Sequence, residues 1–168
     1  MVEEYFVTKD ARVQACWAAF CAAHGVDPET PYQAWHFGDS VELAHELIEL
    51  VMFGPKRATA GLGYQLERNP ALAPVLHGYN VLTEYDGTPR AVTRTTFVGR
   101  CAFEDVDAQF AWDEGEGDRT LAWLREAHWD YFSNECATLG REASPRMPVV
   151  LERFELLWAA PAADRPGV

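Results

Sequence analysis

Lysine is nearly absent from this chain. Of its 14 basic residues only Lys9 and Lys56 are lysine, and the other 12 are arginine. A coding bias that also supplies the many alanines accounts for most of that skew. It leaves the lysine kept at 56 as a mild pointer, because a buried Lys can give up its proton and an Arg cannot. No apolar run approaches the roughly 20 residues that span a bilayer. Met1-Val2-Glu3-Glu4 lacks the basic and then apolar pattern of a secretory signal. The four cysteines, Cys16, Cys21, Cys101 and Cys136, form no C-x-x-C pair. Cys16 and Cys21 are five apart on an expected helix and point away from each other. Reduced thiols in a cytoplasmic protein are therefore expected, not a disulfide framework. Positive charge is also scarce. A net charge of −12 argues against a long basic groove for duplex DNA or RNA, but leaves room for a small-molecule pocket or a short single strand. His24, His36, His45, His77 and His128 show no metal-ligand spacing, so no metal and no cofactor is expected. No phosphate-binding loop, dinucleotide fingerprint or nucleophile elbow occurs.

What the chain does have is a core. Hydrophobic residues make up 48%, with six Trp, six Tyr and nine Phe, which suits one folded domain of 168 residues. Val13, Cys16, Trp17 and Phe20 predict a helix over Asp10 to His24, ended by Gly25. Val26 to Phe37, punctuated by Pro28 and Pro31, reads as loop. Asp39 with Glu42 three residues later reads as a capping box for a second helix, which Gly54 and Pro55 close. Ala58 to Tyr64 reads as a short strand. Gly78 to Tyr85 and Ala91 to Arg100 flank Asp86-Gly87, a hairpin signal. Cys101 to Gln109 is a connection of no assigned form. Glu114-Gly115-Glu116-Gly117-Asp118 reads as an acidic, glycine-broken turn, with Asp118 capping a helix that runs to about Leu139. Pro148 to Trp158 reads as the last strand. The Ala- and Pro-rich segment 159–168 reads as a frayed tail. Connections this short exclude a doubly wound sheet and predict an α+β fold with antiparallel or mixed strands.

Three segments, in order, resemble the ASCH family. Gly54-Pro55-Lys56-Arg57-Ala58-Thr59 matches its G-x-K-x-x-T signature. Trp35-His36-Phe37-Gly38-Asp39-Ser40 resembles the lead into the preceding helix in longer bacterial members. Phe110-Ala111, then Glu114 to Asp118, Leu121 and His128 resemble the acidic turn and helix of the same branch. The resemblance spans roughly residues 32 to 158 and implies a PUA-like, partly closed, mostly antiparallel or mixed β-barrel flanked by helices. It implies a single domain over 1–158, with the helix at 10–24 an extension outside the motifs. That helix could cover a cleft, narrow it, or build a homodimer interface.

The resemblance also implies business with RNA or modified nucleosides. One branch of the family hydrolyses the acetyl amide of N4-acetylcytidine with a Lys, a Thr three residues later and a distant Glu. These fall on Lys56, Thr59 and either Glu116 or Glu114. The chemistry needs a nucleophile, a base and an oxyanion stabiliser. A Thr hydroxyl with a desolvated Lys as its base can supply the first two. Lys56 and Thr59 converge only if the chain bends between them, since a straight strand would send them to opposite faces. Without the family, Lys56 reads as a cation at a helix C-terminus, Thr59 as a strand residue and Asp118 as a cap. Trp35, Tyr64 and Tyr79 are candidates to stack on a base, and Arg57, Arg94 and Arg100 to touch a phosphate. The expected function is thus hydrolysis of an N4-acylcytidine-type amide. The alternatives are a non-catalytic RNA-binding module or a ribonuclease on single-stranded RNA.

Overall fold

A computed structural model of the chain describes residues 6–160. Five strands form one curled sheet in the order β1-β3-β4-β5-β2. They are β1 (Tyr32–His36), β2 (Ala58–Leu62), β3 (Tyr79–Thr83), β4 (Pro89–Ala102) and β5 (Pro148–Ala159). β1 runs parallel to β3, and all other neighbours are antiparallel. Five α-helices join them: α1 (Ala11–His24), α2 (Val41–Phe53), α3 (Gly63–Arg68), α4 (Ala108–Glu114) and α5 (Leu121–Thr138). This is the α+β architecture expected, a mixed half-barrel with helices packed on it. No helix of the described residues is long and apolar enough to cross a membrane.

Helix α1 forms where expected. The Asp10 carboxylate accepts from the Arg12 and Val13 amides, and Gly25 takes a left-handed conformation at the far end. Its buried side, Val13, Cys16, Trp17, Phe20 and Cys21, packs with Ala34, Val81 and Val92 on one face of the sheet. Helix α2 places Leu47, Ile48 and Val51 against Leu82, Ala91 and Phe154. Helices α4 and α5 bury Phe110, Leu124 and Phe132 against Ala58, Leu62, Met147 and Val149. All four cysteines are free thiols, and three of them are buried.

Several boundaries differ from expectation. The segment read as loop over 26–37 contains β1, which pairs with β3 across more than forty residues and so carries no local hairpin signal. Ser40, not Asp39, caps α2 by accepting from the Leu43 amide, and Glu42 lies in the first turn. The strand read over 58–64 ends at Leu62, and the chain turns into α3. Gly63 makes that turn, where any Cβ would stand 2.9 Å from the Pro148 carbonyl oxygen. Thr120 caps α5, while Asp118 holds Thr120 through its amide and hydroxyl. Of the expected tail, Ala159 belongs to β5, the Ala160 amide donates to the Arg90 carbonyl, and 161–168 lie outside the described residues.

Candidate active site

The end of α2 sets the position of Lys56. The Gly54 and Lys56 amides both donate to the Leu50 carbonyl, which tightens the last turn. The Arg57 amide then donates to the Asp113 carbonyl on α4, tying this corner to the acidic turn. Lys56 is fully buried. Its Nζ doubles back to donate to the Ala58 carbonyl at 2.8 Å, and it forms an ion pair with Glu116. The chain bends at Gly54 and Pro55, before Lys56, and by Arg57 it is already paired with β5 through the Phe154 amide. Phe37 lies beneath the ammonium, its ring centroid 5.2 Å from Nζ.

The acidic turn reaches Lys56 because of Gly115. Its φ of 69° is left-handed, and a Cβ there would sit 2.7 Å from the Lys56 amide nitrogen. Close approach of the two backbones brings Glu116 to Lys56. Glu114 has a different place. It is the last residue of α4, not part of an open turn, and it is buried 2.9 Å from His128 Nε2 on α5. Burial pushes the Glu114 carboxyl up, but the His128 charge and hydrogen bond, with help from Lys56, bring the net below its usual value. For His128, burial pushes downward, and Glu114 outweighs it to hold the imidazole above its usual value. Two buried ion pairs thus stand side by side.

Beside them opens a cavity of about 170 Å³. Trp35, His36 and Phe37 from β1 and its end, Thr59 to Leu62 from β2, and Glu152 from β5 form one side. Gln65, Tyr131 and Glu135 from α3 and α5 form another. Thr59 and Glu152 stand opposite each other in the β2–β5 register. Glu152 is buried, and desolvation pushes its carboxyl up to about 7 against a hydrogen bond from Thr95 and the charge of Lys56. An apolar cavity of ~150 Å³ takes one benzene ring, so this space suits a single six-membered ring.

Of the residues singled out from sequence, Lys56, Glu116 and Glu114 share one buried cluster, and Thr59 and Trp35 line the cavity beside it. The others stand elsewhere. The Arg57 guanidinium donates to the Val51 and Lys56 carbonyls at the end of α2. Tyr64 lies under Arg141, 4.3 Å from its ring centroid, in a separate shallow pocket. Tyr79 packs on Trp17 and Phe20, and Arg94 reaches over Tyr79 to donate to the His77 carbonyl. Sequence reasoning missed Glu152, Thr95, Asn80 and the pairing of His128. Glu152 carried no distinguishing local mark, since it shares the last strand with Arg153 and Glu155.

The ASCH domain family model matches residues 33–158. The crystal structure of an ASCH domain from Lactobacillus crispatus superposes with a TM-score of 0.80 at 33% identity, covering 90% of this chain and 98% of that one. The crystal structure of a protein from Enterococcus faecalis gives 0.79 at 30% identity, covering 88% and 89%. No curated protein matches the chain significantly.

Proposed function

The chain belongs to the ASCH domain family, and on that premise we propose that it is an amidohydrolase of an acylated nucleoside of the N4-acetylcytidine type. The observation that carries this reading is the buried Lys56–Glu116 pair beside a cavity for one ring, with Thr59 on the cavity wall. In this reading Thr59 Oγ1 attacks the acyl carbon and its proton passes to the neutral amine of Lys56. The carbon–nitrogen bond breaks and the leaving exocyclic amine takes that proton. Water then frees the acyl group from Thr59 as a carboxylic acid. Glu116 orients Lys56 and is preferred over Glu114, whose charge is already engaged by His128. The same division counts against a two-carboxylate metal site for RNA cleavage, since Glu116 is held by Lys56 and Glu114 by His128. The net charge of −12 favours a small substrate over a long strand.

The test incubates the protein and Lys56→Ala with N4-acylated cytidines and a short single-stranded RNA, with products followed by mass. Deacylation that falls at least ~100-fold in Lys56→Ala is the expected result, the scale of losing a general base. RNA fragments would replace this reading by a ribonuclease. RNA bound without product would replace it by a binding module.

A further inference from the structure

Four polar side chains make a hydrogen-bonded line across the sheet that ends at the cavity. Trp35 Nε1 donates to Asn80 Oδ1 at 3.0 Å, Asn80 Nδ2 donates to Thr95 Oγ1 at 3.2 Å, and Thr95 Oγ1 donates to Glu152 Oε1 at 2.6 Å. Asn80, Thr95 and Glu152 are all buried. An indole N–H can only donate, so Trp35 fixes the Asn80 amide with Oδ1 accepting and Nδ2 turned to donate to Thr95. With the Thr95 hydroxyl donating to Oε1 of Glu152, a proton carried by this carboxyl resides on Oε2. The cavity that Glu152 and Trp35 both line is otherwise largely apolar, which makes an uncompensated carboxylate costly and a neutral acid favourable there.

We infer that Glu152 is the group that decides what the cavity accepts: as a carboxylic acid it donates from Oε2 to a ring nitrogen or ring carbonyl of a single-ring heterocycle. This deepens the proposed function and rests on it. The relay of Trp35, Asn80 and Thr95 positions the carboxyl and presets its donor. Charged groups around it come from several elements. Lys56, at the end of α2, acts on it directly. Glu135 on α5 and His36 on β1 line the same cavity. Glu116 is tied to Lys56, and Glu114 to His128. The strands that flank it present Thr59 from β2 and Thr95 and Val98 from β4, none of them charged. Burial pushes the Glu152 carboxyl up to about 7, so the donor form is present in mild acid and lost in mild base.

The experiment measures binding of cytidine and of N4-acetylcytidine by calorimetry at pH 6 and pH 8. The unaltered protein, Glu152→Gln and Glu152→Leu are compared, each checked for folding by its melting transition. A neutral acid with a midpoint near 7 predicts about tenfold weaker binding at pH 8. Glu152→Gln, whose amide still donates, is expected to bind at both pH values without that slope. Glu152→Leu is expected to bind weakly at both. Binding by the unaltered protein that does not change with pH overturns the inference and leaves the proposed function standing. So does a slope that persists in Glu152→Gln, which would assign it to another group. Absence of nucleoside binding by the unaltered protein at either pH overturns both.

Discussion

The two faces of strands β1 and β3 are built from the same chain and differ in kind. Toward α1 they present Tyr32, Ala34, Tyr79 and Val81, which join Val13, Trp17 and Phe20 in a dry aromatic layer. Trp17 stacks on Tyr32 at 4.5 Å and tilts against Tyr79 at 5.5 Å. Toward the other side the same strands present Trp35 and Asn80, the start of a polar line to Glu152. Period-two alternation alone separates the two roles. One face is covered by a helix outside the matched family region and carries stability. The other carries a hydrogen-bonded line of polar groups and leaves a cavity. Apolar packing tolerates a missing partner at the expense of contacts, whereas a buried charge does not tolerate one at all.

Breaking each face should therefore give losses of similar size and different pH dependence. Phe20→Ala is expected to cost about 3–5 kcal/mol, with little change in that deficit across pH, by urea unfolding. His128→Gln leaves the Glu114 charge without its cation, and breaking a buried pair costs about 3–5 kcal/mol. Its deficit is expected to depend on pH. The folded-state value of His128 is raised, so its contribution is complete below the ordinary 6.5 and is lost as pH rises through the folded value above that. Glu114 is lowered, so its contribution is present above 4.5 and is lost as pH falls through its lower folded value. The His128→Gln deficit should be greatest between 4.5 and 6.5 and shrink on the alkaline side. A deficit as flat as that of Phe20→Ala would erase the distinction between the faces.

A smaller effect sharpens the comparison. The folded state holds the Glu152 proton that the unfolded chain releases between 4.5 and about 7, so stability falls as pH rises through that window. Glu152→Gln removes the penalty and is expected to stabilise the protein at pH 8 by up to about 3 kcal/mol, with no gain at pH 4. A destabilised Glu152→Gln at pH 8 would mean that the carboxylate is wanted in the fold. This is a site where function and stability pull apart: the group that gives the cavity its donor is also one the fold would be steadier without in mild base.

Much of the fold was legible in local signals. Asp10 and Gly25 bound α1, and Asp86-Gly87 marks the β3–β4 turn, because caps and tight turns are set by neighbours in sequence. β1 was not legible, since its partner Tyr79 to Thr83 is distant and parallel. Short α4 was missed for the opposite reason, as seven residues carry too little periodicity to separate from a loop. The site divides along the same line. Lys56, Thr59 and Glu116 fall on motifs, and the corner that turns the chain into Lys56 falls on Gly54-Pro55. The choice of Glu116 over Glu114 needed the close approach of Gly115 to the Lys56 backbone. Glu152 reaches the site through cross-strand pairing with Thr59, which no local pattern encodes.

The most direct measurement is acetate release from N4-acetylcytidine by the unaltered protein, Lys56→Ala and Trp17→Phe, assayed side by side at pH 6.5. The cavity face as working face predicts turnover by the unaltered protein and by Trp17→Phe, and none detectable in folded Lys56→Ala. Equal turnover in Lys56→Ala, or none by the unaltered protein, would contradict it.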